Sequence, residues 1–186
     1  MAGLIQRTTK KLECLAARNK VVYNVLALYY KRIVNKEIRL ADINENDRIL
    51  CVGGGPCPFS GILLHEHTKA HVTIIDNDEC CVEVSKQLVR KLGYEDSIKI
   101  YHGDGSDICP EDYTVIHMAV QVSPLDKVFS CMKQKCKLGS KILVRIPKKH
   151  LSHTYNVHDL TVFNAFNSRA NHLFRNIDST ALFIVY

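Results

Sequence analysis

The sequence predicts an α/β chain: a doubly wound, mostly parallel sheet of seven strands, preceded by a helical extension. Three observations carry that prediction. A short apolar run at residues 49–52 ends in Gly53, Gly54 and Gly55, and a helix-compatible segment follows. Apolar runs then alternate with amphipathic segments as far as residue 146, the rhythm that builds a parallel sheet with helices on its faces. The run ending in Asp76 places a carboxylate 23 positions after Gly53, near the ~20-residue spacing at which such sheets present a hydroxyl-binding acid. At 186 residues the chain is long enough for one substantial core.

Residues 8–34 read as a single helix, because Leu12, Leu15, Val22, Leu26, Tyr29 and Ile33 recur at steps of three, four or seven without Gly or Pro. Residues 35–46 are charged and irregular. The expected division is therefore 1–46, an N-terminal helical extension or lid, and 47–186, the α/β domain. In that domain a strand at 49–52 leads into a helix at 60–67, and a second strand ends at Asp76. Asp78 can cap the next helix, which carries Cys81, Leu88 and Leu92 on one side and stops at Gly93. Strands follow at 97–102 and 113–120, then a helix at 123–136 closed by Gly139. A fifth strand at 141–146 is ended by Pro147. Residues 156–168 read as a helix, and 172–174 and 181–186 as two last strands joined through 176–179. The runs at 49–52 and 142–144 are apolar on both faces, as central strands are, whereas 97–101 alternates and suits an edge. This gives the order 3-2-1-4-5, with first and fourth strands adjacent at the ligand-binding switch point.

Candidate site residues lie at the carboxyl ends of those strands. They are Gly53, Gly55 and Pro56; Asp76 and Asn77; Asp104 and Gly105; Ala119 and Gln121; and Arg145. Gly54 reads as turn geometry alone. Where a dinucleotide site needs its third glycine the chain has Pro58, so the turn suits an adenosyl ligand without a pyrophosphate. Gln121 can orient a substrate. Arg145, inside an apolar strand, either pairs with an acid or holds a carboxylate. Tyr23 and Tyr30 either fill the helix stripe or cover the substrate, and His117 reads as a core histidine. Cys57 reads as a packed thiol, reactive only if the helix N-terminus stabilises its thiolate. His65 and His67 diverge on their helix, and His150 and His153 lack partners, so no metal site is expected.

The segment from Arg48 to Ile146 resembles class I S-adenosylmethionine-dependent methyltransferases, whose fold is Rossmann-like. ILCVGGGP is similar to their glycine motif, Asp76 to the ribose-binding acid, and GDGSD at 103–107 to the adenine-binding motif. VGGGPCPFSGILL followed by IIDND resembles nicotianamine synthase and related opine-metallophore synthases, which transfer aminocarboxypropyl from the same cofactor. ILVRIP with Arg145 is similar to the fifth strand of that group, and Tyr29-Tyr30 to tyrosines of its N-terminal region. The chain departs from the patterns in two places. Cys51-Val52 replaces the acid common before the first glycine, and MAVQ stands where amino-methylating enzymes of the N6-adenine kind carry an aromatic-proline tetrapeptide.

The resemblance implies S-adenosyl-L-methionine as cofactor, held by Gly53, Gly55, Pro56, Asp76, Asn77, Asp104, Gly105 and Ala119. It implies methyl transfer to a small-molecule acceptor, with Tyr30, Gln121 and Arg145 as catalytic candidates. The alternatives are nicotianamine synthase-like aminocarboxypropyl transfer to make a metallophore, and a non-catalytic cofactor-binding subunit. The net charge of +6 comes from scattered lysines and arginines. Without an aromatic-basic cluster this gives no nucleic-acid surface. The eight cysteines form no CxxC pair or regular framework. They read as reduced thiols of a cytoplasmic protein, and no apolar run approaches the ~18 residues of a membrane span.

Overall fold

The computed structural model describes residues 2–173 and 176–186, with side chains from Thr8 onward. Among the described residues seven strands form one sheet: β1 (Arg48–Val52), β2 (His71–Asp76), β3 (Ile98–His102), β4 (Val115–Met118), β5 (Lys141–Pro147), β6 (Ser168–Asn171) and β7 (Ile177–Ile184). Their order is β3-β2-β1-β4-β5-β7-β6. The first five pair in parallel and the last two join antiparallel. The doubly wound sheet expected from the apolar runs is therefore present, with β3 at one edge and β1 beside β4 at the switch point.

Among the described residues there are five α-helices, α1 (Ala2–Arg18), α2 (Lys20–Ala41), α3 (Phe59–Thr68), α4 (Glu79–Leu92) and α5 (Leu125–Lys135). Two apolar clusters fill the faces of the sheet. One joins Ile49, Cys51, Val72 and Ile74 to α2, α3 and α4; the other joins Leu50, Ile116, Val144 and Phe183 to α5. Burial on both faces explains why the central strands read as continuous apolar runs. Asp78 caps α4 by accepting from the Cys81 N–H, and Gly93 ends it with φ +75°.

The N-terminal region differs from the single helix expected at 8–34. Asn19 leaves the helical conformation at φ −122° and its side chain accepts from the Val21 and Val22 N–H groups, so it caps a new helix. That helix runs on to Ala41, through the segment that reads as an irregular boundary. The break also changes which face of α1 is buried. Leu12 and Leu15 are exposed, while Glu13 and Ala16 point inward.

The C-terminal region is also corrected. No α-helix forms at 156–168; the chain makes 3-10 turns at Lys149–Tyr155 and Leu160–Phe163. Local polar groups favour these turns: Asp159 accepts from the Thr161 N–H, and buried Asp126 accepts from the N–H groups of His158 and Asp159. The sixth strand lies at Ser168–Asn171, earlier than 172–174; His172 only continues its pairing through one bond to the Asp178 carbonyl, and Phe174 lies outside the described residues. The seventh strand begins at Ile177, inside the stretch read as its connection. Pro147 ends β5 but still belongs to it, opposite Ile177 across a register shift.

Candidate active site

The carboxyl ends of β1, β2 and β4, the loop after β3, and the two N-terminal helices enclose one cavity of about 410 Å3, within the ~300–1,000 Å3 range of small-molecule sites. The residues expected at the strand ends all line it, with Tyr30: Gly53, Gly55 and Pro56 after β1; Asp76 and Asn77 after β2; Asp104 and Gly105 after β3; Ala119 and Gln121 after β4; Arg145 from β5; and Tyr30 from α2. Tyr23 does not line it and packs on Phe59 instead, ring centroids 5.2 Å apart.

The glycine turn is built to be thin. The Gly53 and Gly54 N–H groups both donate to the Ile75 carbonyl, at 2.9 and 3.2 Å. The Gly55 N–H donates to Asp76 Oδ2 at 2.7 Å. The turn thus spends its donors on holding β2 and aiming Asp76, and offers a ligand bare Cα atoms. Gly54 is not a φ requirement. A Cβ there would lie 2.3 Å from Ile74 Cγ2, and one on Gly61 of α3 would lie 2.6 Å from Ile74 Cδ1. Ile74 is clasped between two glycines, so Gly61 supplies the close helix–strand packing that a third turn glycine would give. At Gly55 the backbone is left-handed, φ +64°, and a Cβ would stand 2.8 Å from Glu13 Oε2.

Asp76 Oδ1 also accepts from the Asp78 N–H at 3.0 Å. Each carboxylate oxygen keeps a second lone pair for hydroxyl donors in the cavity. Asp104 is exposed and turns back to accept from the Ser106 N–H at 2.8 Å. Gly105 beside it is buried where a Cβ would meet Val52 and Val128. Asn77 is exposed at the rim, and Gln121 and Ala119 are half-buried.

Glu13 is the site residue that the sequence pattern conceals. It lines the cavity from α1 and is 9% exposed. The Tyr30 hydroxyl donates to its Oε1 at 3.2 Å. Burial pushes the Glu13 carboxyl up to about 7, a rise opposed by the Tyr30 bond and reinforced by the Asp76 charge. Tyr30 is fixed in turn, stacked on Phe59 with ring centroids 5.0 Å apart and planes at 12°. Burial, then the Glu13 charge, raises its phenol well above the usual value, so Tyr30 stays a donor. Lys10 on the same helix pairs with Asp78 at the head of α4, which pins α1 across the cavity.

Beneath Tyr30 lies a buried polar row. Glu37 of α2 is 0% exposed. Its Oε1 accepts from Arg145 Nε at 2.8 Å and Thr180 Oγ1 at 2.7 Å, and its Oε2 from Arg145 Nη2 at 2.8 Å. His117 Nε2 lies 3.2 Å from Oε2. These partners outweigh burial and hold the Glu37 carboxyl well below the usual carboxylate range. Burial lowers the His117 pKa despite Glu37, so the ring stays neutral. Arg145 therefore has its acid, and His117 is a satisfied histidine that also borders the cavity. Cys57 is buried, and burial drives its thiol up, so it packs rather than reacts. Among the described residues no group of three or more His, Cys, Asp or Glu side chains is placed to hold a metal.

The sheet order and a site at the switch point define a Rossmann-like fold of the class I methyltransferase type. Particular proteins share it. MtNAS, a nicotianamine synthase whose crystal structure is in complex with MTA and tNA, superposes with a TM-score of 0.76 at 22% identity, covering 95% of this chain and 71% of its own. An RNA methyltransferase from Salinibacter ruber in complex with S-adenosyl-L-homocysteine superposes with a TM-score of 0.67 at 16% identity, covering 83% and 90%. Among curated proteins, the protein-L-isoaspartate O-methyltransferase of Thermococcus sibiricus is 26% identical over 114 residues, 61% of this chain and 51% of that protein. The L-histidine 2-aminobutanoyltransferase of Pseudomonas aeruginosa PAO1 is 25% identical over 113 residues, 60% and 43%. The chain thus spans about half the length of these two relatives. No family model matches it.

Proposed function

We propose that this chain is an S-adenosyl-L-methionine-dependent transferase that alkylates the amine of a small-molecule acceptor. The observation that carries the reading is the meeting of Asp76, Asp104, the thin glycine turn and Glu13 around one cavity. Asp76 would hold the ribose hydroxyls, and Asp104 with Gly105 the adenine. Gly53, Gly55, Pro56, Asn77 and Ala119 would form the walls. The cradle fits: its bare Cα atoms admit a ligand against the backbone, and Asp76 is already aimed by the Gly55 N–H.

Bound there, the cofactor supplies a carbon made electrophilic by the neighbouring sulfonium. The chain's own work is positioning and proton removal. Glu13, at about 7, is matched to take a proton from an ammonium group near neutral pH. Tyr30 holds Glu13 and stays protonated. Gln121, at the cavity edge, orients the acceptor.

Methyl transfer is the reading that the fold suggests first. A specific observation favours aminocarboxypropyl transfer. The likeness to MtNAS covers 95% of this chain and so takes in the N-terminal helices that bring Glu13 and Tyr30 to the cavity, and one curated relative is named for 2-aminobutanoyl transfer to L-histidine. Eight free cysteines support a reducing location, read here as the cytoplasm, and no described helix is long and apolar enough to cross a membrane.

Incubation with S-adenosylmethionine and a panel of amines and amino acids tests this. Release of methylthioadenosine marks aminocarboxypropyl transfer, and S-adenosylhomocysteine marks methyl transfer. Neither product with any acceptor, despite cofactor binding, would leave a non-catalytic cofactor-binding subunit instead.

A further inference from the structure

The basic residues that read as scattered along the sequence are gathered by the fold. Residues 1–41 hold nine of the 25 Lys and Arg and two of the 19 Asp and Glu, a net +7, and the other 145 residues carry a net −1. Both of those acids, Glu13 and Glu37, are buried and bonded inside the protein. All five basic residues of α2 (Lys20, Lys31, Arg32, Lys36 and Arg39) are exposed. Lys36 donates to the Asn171 carbonyl at 2.8 Å; among the described residues the other four meet no acceptor. The first exposed acid along the chain is Asp42, at the C-cap of α2.

The same helix presents apolar side chains to solvent. Val21, Val25 and Leu28 are 71%, 62% and 67% exposed. Positions 21, 25, 28, 32, 36 and 39 step by three or four, so they share one face of α2. That face is aliphatic over its first half and cationic, through Arg32, Lys36 and Arg39, over its second. The opposite face, through Ile33, Val34, Glu37 and Ala41, is buried. On α1, Lys11, Leu12, Leu15 and Arg18 are exposed as well, just ahead of the joint at Asn19.

An occupant of this face must be anionic and must also take up aliphatic side chains. A second copy of the chain brings the same charge against itself. A single-stranded nucleic acid supplies the charge but is held by stacking on aromatic rings. The tyrosines of α2, Tyr23, Tyr29 and Tyr30, pack instead on Phe59 and on one another. An anionic bilayer supplies both partners: charged headgroups for the cations, and the acyl boundary for valine and leucine. We propose that the outer face of α2 docks on a membrane surface carrying anionic phospholipids. Val21, Val25 and Leu28 enter the boundary between headgroups and acyl chains, and Arg32, Lys36 and Arg39 lie against the headgroups. The contact is peripheral, and it does not depend on the transferase reading.

The test is co-sedimentation of the whole chain with two kinds of vesicle, phosphatidylcholine alone and phosphatidylcholine with about 30% phosphatidylserine. The chain should bind the anionic vesicles at least about 100-fold more tightly, near fivefold for each surface cation. The difference should shrink at about 1 M salt, where screening acts within ~3 Å. Val21→Ser/Val25→Ser/Leu28→Ser keeps every charge and should bind about 10- to 100-fold more weakly. Lys31→Glu/Arg32→Glu/Arg39→Glu should lose the preference for anionic vesicles. Lys127→Glu/Lys133→Glu/Lys137→Glu makes the same change of net charge in and just after α5, on the other face of the sheet, and should keep it. All nine side chains are exposed, so each variant should keep the circular dichroism spectrum of the unsubstituted chain. No binding of anionic vesicles by the unsubstituted chain would overturn the proposal, as would an equal loss in the α5 variant. A serine variant that still binds anionic vesicles undiminished would overturn it too, since charge alone would then act, as on a nucleic acid. So would a chain that is dimeric in light scattering and monomeric once the three serines are in place, because a second copy would then cover the face.

Discussion

Glu13→Gln should make the folded chain more stable at alkaline pH and destroy its activity. The Glu13 carboxyl is raised from 4.5 to about 7, first by burial. A raised acid in the folded state means that folding takes up a proton between those values. Stability is therefore fully present below about pH 4.5 and lost as pH rises through 7. At roughly 1.4 kcal/mol per pKa unit, the loss comes to about 3 kcal/mol by pH 8. Glutamine has the same shape, still accepts from Tyr30, and never ionises. The two proteins should match at pH 4, and the variant should be about 3 kcal/mol more stable at pH 8. Urea unfolding at intervals of pH reads this directly. Transfer activity should rise in the unsubstituted protein with an apparent pKa near 7, and fall by about 10²- to 10⁴-fold in the variant, as for a lost general base. Parallel stability profiles in the two proteins would refute the burial argument, and an active variant the catalytic one.

Asp76→Ala should weaken S-adenosylhomocysteine binding by about 10- to 100-fold in calorimetry while leaving the circular dichroism spectrum unchanged. Gly54→Ala would drive a methyl group to 2.3 Å from Ile74. It should cost about 1–3 kcal/mol in chemical denaturation, the usual penalty of overpacking. Asn19→Ala removes the two cap bonds of α2 and should cost about 1 kcal/mol, read as a lower unfolding midpoint.

What the sequence displays is what local chemistry decides. The glycine turn, the Asp78 cap and the Gly93 stop depend on near neighbours, and the central strands announce themselves because both faces are apolar. The carboxyl ends of five strands then follow from topology, and every residue expected there borders one cavity. Glu13 and Glu37 escape because an acid in a helix otherwise rich in lysine reads as solvated. Their burial is decided by partners far along the chain: Glu37 meets Arg145 across 108 positions. The readable trace was Arg145 itself, since an arginine in an apolar strand requires an acid somewhere. Asn19 is a second trace. Read as a cap, it splits the first helix and rotates Glu13 inward. At 156–168 helical spacing misled, because Asp126 and Asp159 offer the backbone local bonds that turns can use and a helix cannot.

Calorimetric titration of the folded chain with S-adenosylmethionine and S-adenosylhomocysteine tests the central claim most directly. The account predicts saturable binding at one site per chain, weakened by Asp76→Ala and retained by Glu13→Gln. No binding of either compound, with the protein shown to be folded, would contradict it.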